Sequence, residues 1–375
     1  MGFSPLVTEK ESRGSMLYAS YSCTTHDLRF LKSFVRNNWK VFFLRFDGRR
    51  NQPEDGPLPA GVTQIEWLGT QELLSGSNFL QFIQAFQKLE TSLFIDVVVA
   101  GPIPTIGFIC TQVSRSPTVL MSWASDLLFD IHQSADDLSR AKASIQDASG
   151  IIVDSKIIFD IALELGGDLD DILMCPWGIE LEDFQPIAPR LPDGILKLLS
   201  LRSLEKIYDV ETLINAFALL KNFKDINFFG TIVGDGSQKE HLLKLAKSLN
   251  LTDQIDWVQP VPESAIAQVL HAHDLYISTS RSDGSSISML QALSTGQLVL
   301  VSDIPSNREW ITDNWNGWLF EVGNSTSLAT KIYEIATSQS LDLIRSRAPL
   351  EVQKRANWSV NQQNVCRFIE NKVQS

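Results

Sequence analysis

Short apolar runs alternate with amphipathic stretches along this chain, and the period of that alternation predicts its architecture. Met16–Ser20, Val41–Arg45, Ile95–Ala100, Val119–Ser122, Gly150–Val153 and Ile172–Met174 are short and apolar, so each reads as a buried strand. Between them Asp27–Asn38, Gln71–Glu90, Thr105–Val113, Leu138–Ala148 and Lys156–Leu165 read as helices; in the first, Leu28, Leu31 and Phe34 share one face. Residues Met1 to Gly14 are polar and irregular, a lead-in. The rhythm breaks near Pro186, Pro189 and Pro192, a density that marks a linker. It restarts with strands Ile195–Leu199, Asn227–Val233, Ile255–Val258, Leu275–Ser278, Leu298–Val301 and Trp318–Phe320. The intervening helices are Val210–Leu220, Gln238–Leu249, Glu263–Ala272 and Ser325–Ser338, with a helical tail from about Leu341. A further helix begins at Ser286, with Ile287, Leu290 and Leu293 at helical spacing and Gly296 where a C-terminal cap falls.

Strands and helices in that order require parallel sheets covered by helices on both faces. The expected fold class is therefore α/β, with two doubly wound Rossmann-like domains facing a central cleft. The expected boundaries are 1–184 for the first domain, 185–194 for the linker, 195–357 for the second domain and 358–375 for a C-terminal helix. Ligands of such sheets bind beyond the carboxyl ends of the strands, so the loops there are where chemistry is sought.

Composition narrows the classes. A net charge of −12 argues against a general affinity for nucleic acid. The four cysteines (Cys23, Cys110, Cys175 and Cys366) are far apart, without metal-finger spacing, and read as free thiols of a reducing compartment. No apolar run approaches membrane-spanning length and the first residues lack a signal-peptide core, so a cytoplasmic protein is expected.

The loop Asp283-Gly284-Ser285-Ser286 lies between the strand Leu275–Ser278 and the next helix. Its backbone N–H groups and the helix N-terminus suit a phosphate; an ordinary capped helix is the plain alternative. Arg202 and Lys206 follow the first strand of the second domain, at the same end of the sheet. Together they would bind a diphosphate, unless they are surface cations partnered by Glu205. His26-Asp27, after the first strand, offers an acceptor contact or a helix cap. Asp168-Leu169-Asp170-Asp171 has the look of a metal-binding run, yet it follows Gly166-Gly167 in a turn and reads as a solvated loop.

Taken as a set, Arg202 through Leu220, Gly234-Asp235-Gly236, His273-Asp274 and Ser280 through Ser302 resemble the carboxyl-terminal half of the retaining GT-B glycosyltransferases of family 4 type. Asp96–Pro104, Leu120–Asp126, Pro176–Phe184 and the tail around Trp358 also look like the matching segments, so the resemblance covers nearly the whole chain. It implies a metal-independent, retaining transfer of a sugar from a nucleotide-sugar donor, of UDP or GDP type, to a glycan, lipid-linked or other glycoconjugate acceptor. No cofactor is expected. A lipid-linked acceptor would bring the protein to the inner face of the membrane as a peripheral contact.

By that resemblance Arg202 and Lys206 would hold the diphosphate with Ser286 and Ile287, and Asp283 would meet the sugar hydroxyls beside Gly284 and Ser285. Gln291, about a dozen Å along the helix from Asp283, would reach the ribose. It stands where the family has a second Glu, and loses charge-assisted strength. Arg202 and Lys206 are one residue closer than in many relatives. Trp123 stands where a His is common, leaving Ser125 and Asp126 for acceptor-side work, or as a simple N-cap. Two other readings stay open: a sugar-nucleotide epimerase of the same fold, and a catalytically inactive nucleotide-sugar or glycan binding protein.

Overall fold

The computed structural model describes residues 12–47, 57–65, 79–186, 188–189, 194–223, 225–338 and 341–374. Most of the predicted lead-in, the stretch 71–78 of the second predicted helix and residues 187 and 190–193 of the linker lie outside them. The chain forms two compact units, each built around its own parallel sheet.

The first unit comprises Met1–Asp154, Ile158–Cys175 and Gln362–Ser375. Its strands are β1 (Gly14–Ser20), β2 (Trp39–Arg45), β3 (Val62–Ile65), β4 (Val97–Gly101), β5 (Thr118–Met121), β6 (Gly150–Val153) and β7 (Ile172–Met174), in the order β3-β2-β1-β4-β5-β6-β7. The central strands are largely apolar because helices cover both faces, and β4 is buried at every position. β3 is an edge strand of half-exposed and exposed residues; its mixed Val-Thr-Gln-Ile sequence carried no strand signal. The helix predicted from Thr105 is two pieces, a π-helical turn Ile103–Gly107 and an α-helix Phe108–Val113.

The second unit comprises Ser155–Ile157 and Pro176–Asn361. Its strands are β8 (Leu196–Leu201), β9 (Phe228–Val233), β10 (Ile255–Val258), β11 (Leu275–Ser278), β12 (Leu298–Ser302) and β13 (Trp318–Phe320), in the order β10-β9-β8-β11-β12-β13. Two apolar layers enclose this sheet. One holds Leu198, Ile214, Phe217, Ile277 and Leu300; the other holds Leu199, Tyr276, Leu290, Val299 and Val352. Each fully buried aliphatic side chain contributes about 1.5–3 kcal/mol. Strand order reverses where β8 lies beside β11, with Leu199 opposite Tyr276. In a doubly wound sheet that reversal, at the carboxyl ends of the two strands, is the position where ligands bind.

Candidate active site

Arg202 follows β8 and Asp283 lies in the loop after β11, so the strand reversal brings together residues 81 apart in sequence. Arg202 Nη2 donates to Asp283 Oδ2 at 2.6 Å, and Nη1 donates to Ser286 Oγ at 2.8 Å. The two charged side chains are only 9 % and 18 % exposed. The Tyr208 ring lies across the guanidinium, 4.0 Å from Cζ to the ring centroid. Behind Ser286 runs a chain of hydroxyls: Ser286 Oγ is 3.5 Å from Ser288 Oγ, which is 2.8 Å from the Tyr276 hydroxyl. Burial opposes the charge on Arg202, but Asp283, Tyr276 and Tyr208 more than offset it, so its pKa is raised. Burial pushes Asp283 upward against the pull of Arg202. Arg202 Nε is buried and has no hydrogen-bond partner, a donor that a bound oxyanion would satisfy.

The Gly-Asp-Gly turn sets the loop that carries Arg202. A Cβ at Gly234 would lie 2.1 Å from the Arg202 carbonyl oxygen, and one at Gly236 would lie 2.6 Å from that of Leu204. Only glycine permits that approach, and Leu204 N–H then donates to the Asp235 carbonyl at 2.8 Å. Asp283 Oδ1 accepts from Gly284 N–H at 3.0 Å, tightening the loop of buried Gly284, Ser285 and Ser286. Ser286 heads the helix Ile287–Ser294, with Ile287 half-buried; Gly296 follows its end in the left-handed region at φ +70°.

The other two expected donor-side residues are Lys206 and Gln291. Lys206 is exposed and lines a recess of about 440 Å³ with Glu205, Asp209, Glu211 and Arg281. It opens a 3₁₀ turn, Lys206–Tyr208, ended by Asp209 in the left-handed region; that turn puts Tyr208, not Lys206, on Arg202. Glu205, proposed as a surface partner, accepts instead from Ser237 N–H at 2.8 Å. Gln291 sits in the helix that follows the loop, but is only 2 % exposed. Tyr208, Tyr276 and Ser288 were not singled out in the sequence. Tyr276 lay hidden as one apolar position of a strand, and nothing local marked the other two.

In the first unit, half-buried His26 stacks on Trp123 at 6.1 Å between ring centroids and 27° between planes. Burial, aided by the positive charge of Arg29, lowers the His26 pKa to about 4. Asp27 caps the helix that carries it: Thr24 is the N-cap of Thr25–Arg36, and Asp27 accepts from Thr24 N–H at 2.7 Å and from the Tyr18 hydroxyl at 2.9 Å. Asp126 is 0 % exposed. It accepts from the Ser122 hydroxyl at 2.7 Å and from the backbone N–H groups of Ile103, Trp123 and Leu127 at 3.0 Å. Burial raises its pKa to about 6 against those bonds. The geometry is that of a group ordering its own loop; neighbouring Ser125 is exposed. Between Trp123 and Ser125, Ala124 adopts φ +64°, and Ser125 N–H closes a tight turn onto the Trp123 carbonyl at 2.8 Å.

Asp168 caps the short turn Leu169–Asp171, and Asp171 pairs with Lys372, so this acidic run is engaged structurally. Among the described residues no three His, Cys, Asp or Glu side chains gather as metal ligands, and no helix is long and apolar enough to cross a membrane. All four cysteines are buried, and none is in a disulfide.

Two parallel-sheet Rossmann-like units are the architecture of the GT-B glycosyltransferases, and solved structures of that class match this fold. Sucrose-phosphate synthase from Thermosynechococcus elongatus aligns over 94 % of this chain and 98 % of its own, at 14 % identity and a TM-score of 0.78. The Anabaena HepE protein in complex with UDP-glucose aligns over 96 % of this chain and 100 % of its own, at 17 % identity and a TM-score of 0.76. Residues 183–356 match the family model of the glycosyl transferases group 1. An uncharacterized glycosyltransferase of Methanocaldococcus jannaschii is 26 % identical over 63 % of this chain. The chain spans 62 % of that relative's length. The family model covers just under half of the chain, and the likeness to the solved structures is one of fold.

Proposed function

We propose that this protein is a retaining glycosyltransferase of family 4 type that moves a hexose from a nucleoside-diphosphate sugar to a glycan, lipid-linked or other glycoconjugate acceptor. The observation that carries the reading is the buried Arg202–Asp283–Ser286 constellation at the strand reversal of the second unit. A guanidinium there, with one buried donor unpartnered, suits the diphosphate of the donor. The solved HepE complex with UDP-glucose supports a nucleotide sugar as the ligand.

The proposed chemistry follows from charge. As the bond between the sugar C1 and the phosphate oxygen breaks, negative charge grows on the leaving diphosphate, and Arg202 stabilises it without a metal. The acceptor hydroxyl bonds to C1 on the face the diphosphate leaves, and its proton passes to the departing phosphate oxygen. Asp283 meets the sugar hydroxyls and the Ser286–Ile287 backbone the phosphate. Gln291 remains the candidate for the ribose. His26, Trp123 and Ser125 are proposed on the acceptor side, with Asp126 holding their loop. His26 is neutral at physiological pH because its pKa is lowered to about 4, so it would meet an acceptor as a hydrogen-bonding or stacking group. We place the protein in the cytoplasm, with peripheral membrane contact if the acceptor is lipid-linked.

A thermal-shift panel of UDP, GDP, ADP and dTDP sugars, with chelator and no added metal, tests this reading. At least one donor should raise the melting temperature through mass action. A protein stabilised by none of the four is not this transferase.

A further inference from the structure

One side of the Arg202 guanidinium is covered by a ring that neither the sequence pattern nor the resemblance placed there. The turn carrying Tyr208 is pinned from the loop after β11. Thr279 Oγ donates to the Tyr208 carbonyl at 2.9 Å, and Arg281 N–H donates to the Ile207 carbonyl at 2.9 Å. Asp209, the next residue, lies in the left-handed region at φ 47°, and its carboxylate pairs with Arg281 at 2.8 Å. These contacts fix the backbone so that the Tyr208 ring stands 4.0 Å from Arg202 Cζ. With Asp283 and Ser286 on the two terminal nitrogens, the guanidinium plane is set on three sides and Nε is left buried without a partner.

We propose that Tyr208 is a positioning residue for the donor's diphosphate: its ring holds the Arg202 guanidinium in the plane that offers Nε to a phosphate oxygen. The diphosphate would then be met by one oriented cation and a neutral aromatic plate, where two cations were expected. A ring face attracts the guanidinium without adding charge of its own. It also removes rotamer freedom that Arg202 would otherwise lose on binding. Lys206, exposed in its own recess, has no part in that geometry. The inference rests on the transferase reading, and its test separates the two.

Calorimetric titration of the wild-type protein with UDP, GDP, ADP and dTDP selects the tightest binder, and the same titration is run on Tyr208→Phe, Tyr208→Leu and Tyr208→Met. The phenylalanine variant keeps the plate and should bind within about twofold of wild type. The leucine and methionine variants should lose on the order of tenfold in diphosphate affinity, the range of a desolvated cation–π contact. Affinity for the matching nucleoside, which has no phosphate, should stay unchanged; the methionine variant guards against a leucine variant that does not fold. Wild-type binding that is equal in all four proteins overturns the inference alone, as does a loss shared equally by the nucleoside. A larger loss from Lys206→Ala than from either plate-less variant also overturns it. A wild type that binds none of the four overturns the transferase reading and this inference with it.

Discussion

Arg202→Met strands the Asp283 carboxylate, and the cost can be worked from the geometry. At 2.6 Å and an effective dielectric near 20, the pair attracts by about 6 kcal/mol before desolvation is charged against it. Breaking a buried pair by removing one partner costs roughly 3–5 kcal/mol, because the remaining charge stays buried. With side chains 9 % and 18 % exposed, some solvent reaches the carboxylate, which places the expected loss near the lower end, about 3 kcal/mol. In a unit of this size that lowers the melting temperature by roughly 6–12 °C. The double variant Arg202→Met/Asp283→Asn removes the stranded charge while keeping an oxygen toward Gly284 N–H, and should recover most of that loss. Diphosphate binding should not recover. One or two charge-assisted bonds to phosphate are gone in both variants, roughly a 100-fold loss in affinity. Urea unfolding and nucleotide titration on the same samples read the two effects separately. A single variant within about 1 kcal/mol of wild type would refute the buried ion pair. A double variant that binds the nucleoside diphosphate normally would refute Arg202 as its anchor.

Two further outcomes concern the first unit. The folded His26 pKa of about 4 lies below its ordinary 6.5, so below pH 6.5 the unfolded chain takes up a proton that the folded chain refuses. His26 therefore makes stability fall as pH drops from about 6.5 to 4, by about 1–2 kcal/mol after allowing for partial exposure. The stability difference between wild type and His26→Gln, measured in urea across that window, should change with that slope; a flat difference contradicts it. Asp126→Asn sets an amide N–H₂ among hydrogen-bond donors and should cost about 2 kcal/mol at pH 7. Asp126 titrates in the opposite sense, with a folded pKa of about 6 above its ordinary 3.8, so wild-type stability gains as pH falls through 6. The gap to the variant should therefore widen at pH 5, and a gap that narrows refutes the buried carboxyl.

Most of the sheet framework was readable in the chain because parallel strands buried on both faces are apolar at nearly every position. β6, β7, β10, β11 and β13 begin and end where the apolar runs do. β3 escaped because none of its four residues is fully buried and its Val-Thr-Gln-Ile sequence mixes polar with apolar positions. Arg202, Asp283 and Ser286 were legible as candidates, since loops at the carboxyl ends of strands are where such sheets bind. Their mutual contacts were not, because pairing across 81 residues depends on strand order, which local periodicity does not encode. Lys206 shows the other limit. It follows the strand as expected, but a 3₁₀ turn closed by a left-handed aspartate puts the Tyr208 ring on Arg202, and no local pattern announces that turn.

The most direct test of the central claim uses the donor that the thermal-shift panel selects. It is incubated with the protein and a chelator, and the anomeric proton is followed by NMR from the first minutes. Slow release of sugar with the donor's own anomeric configuration, absent in Arg202→Met/Asp283→Asn, is the predicted result. First appearance of the inverted anomer, or release that requires an added divalent metal, would contradict a retaining, metal-independent transferase.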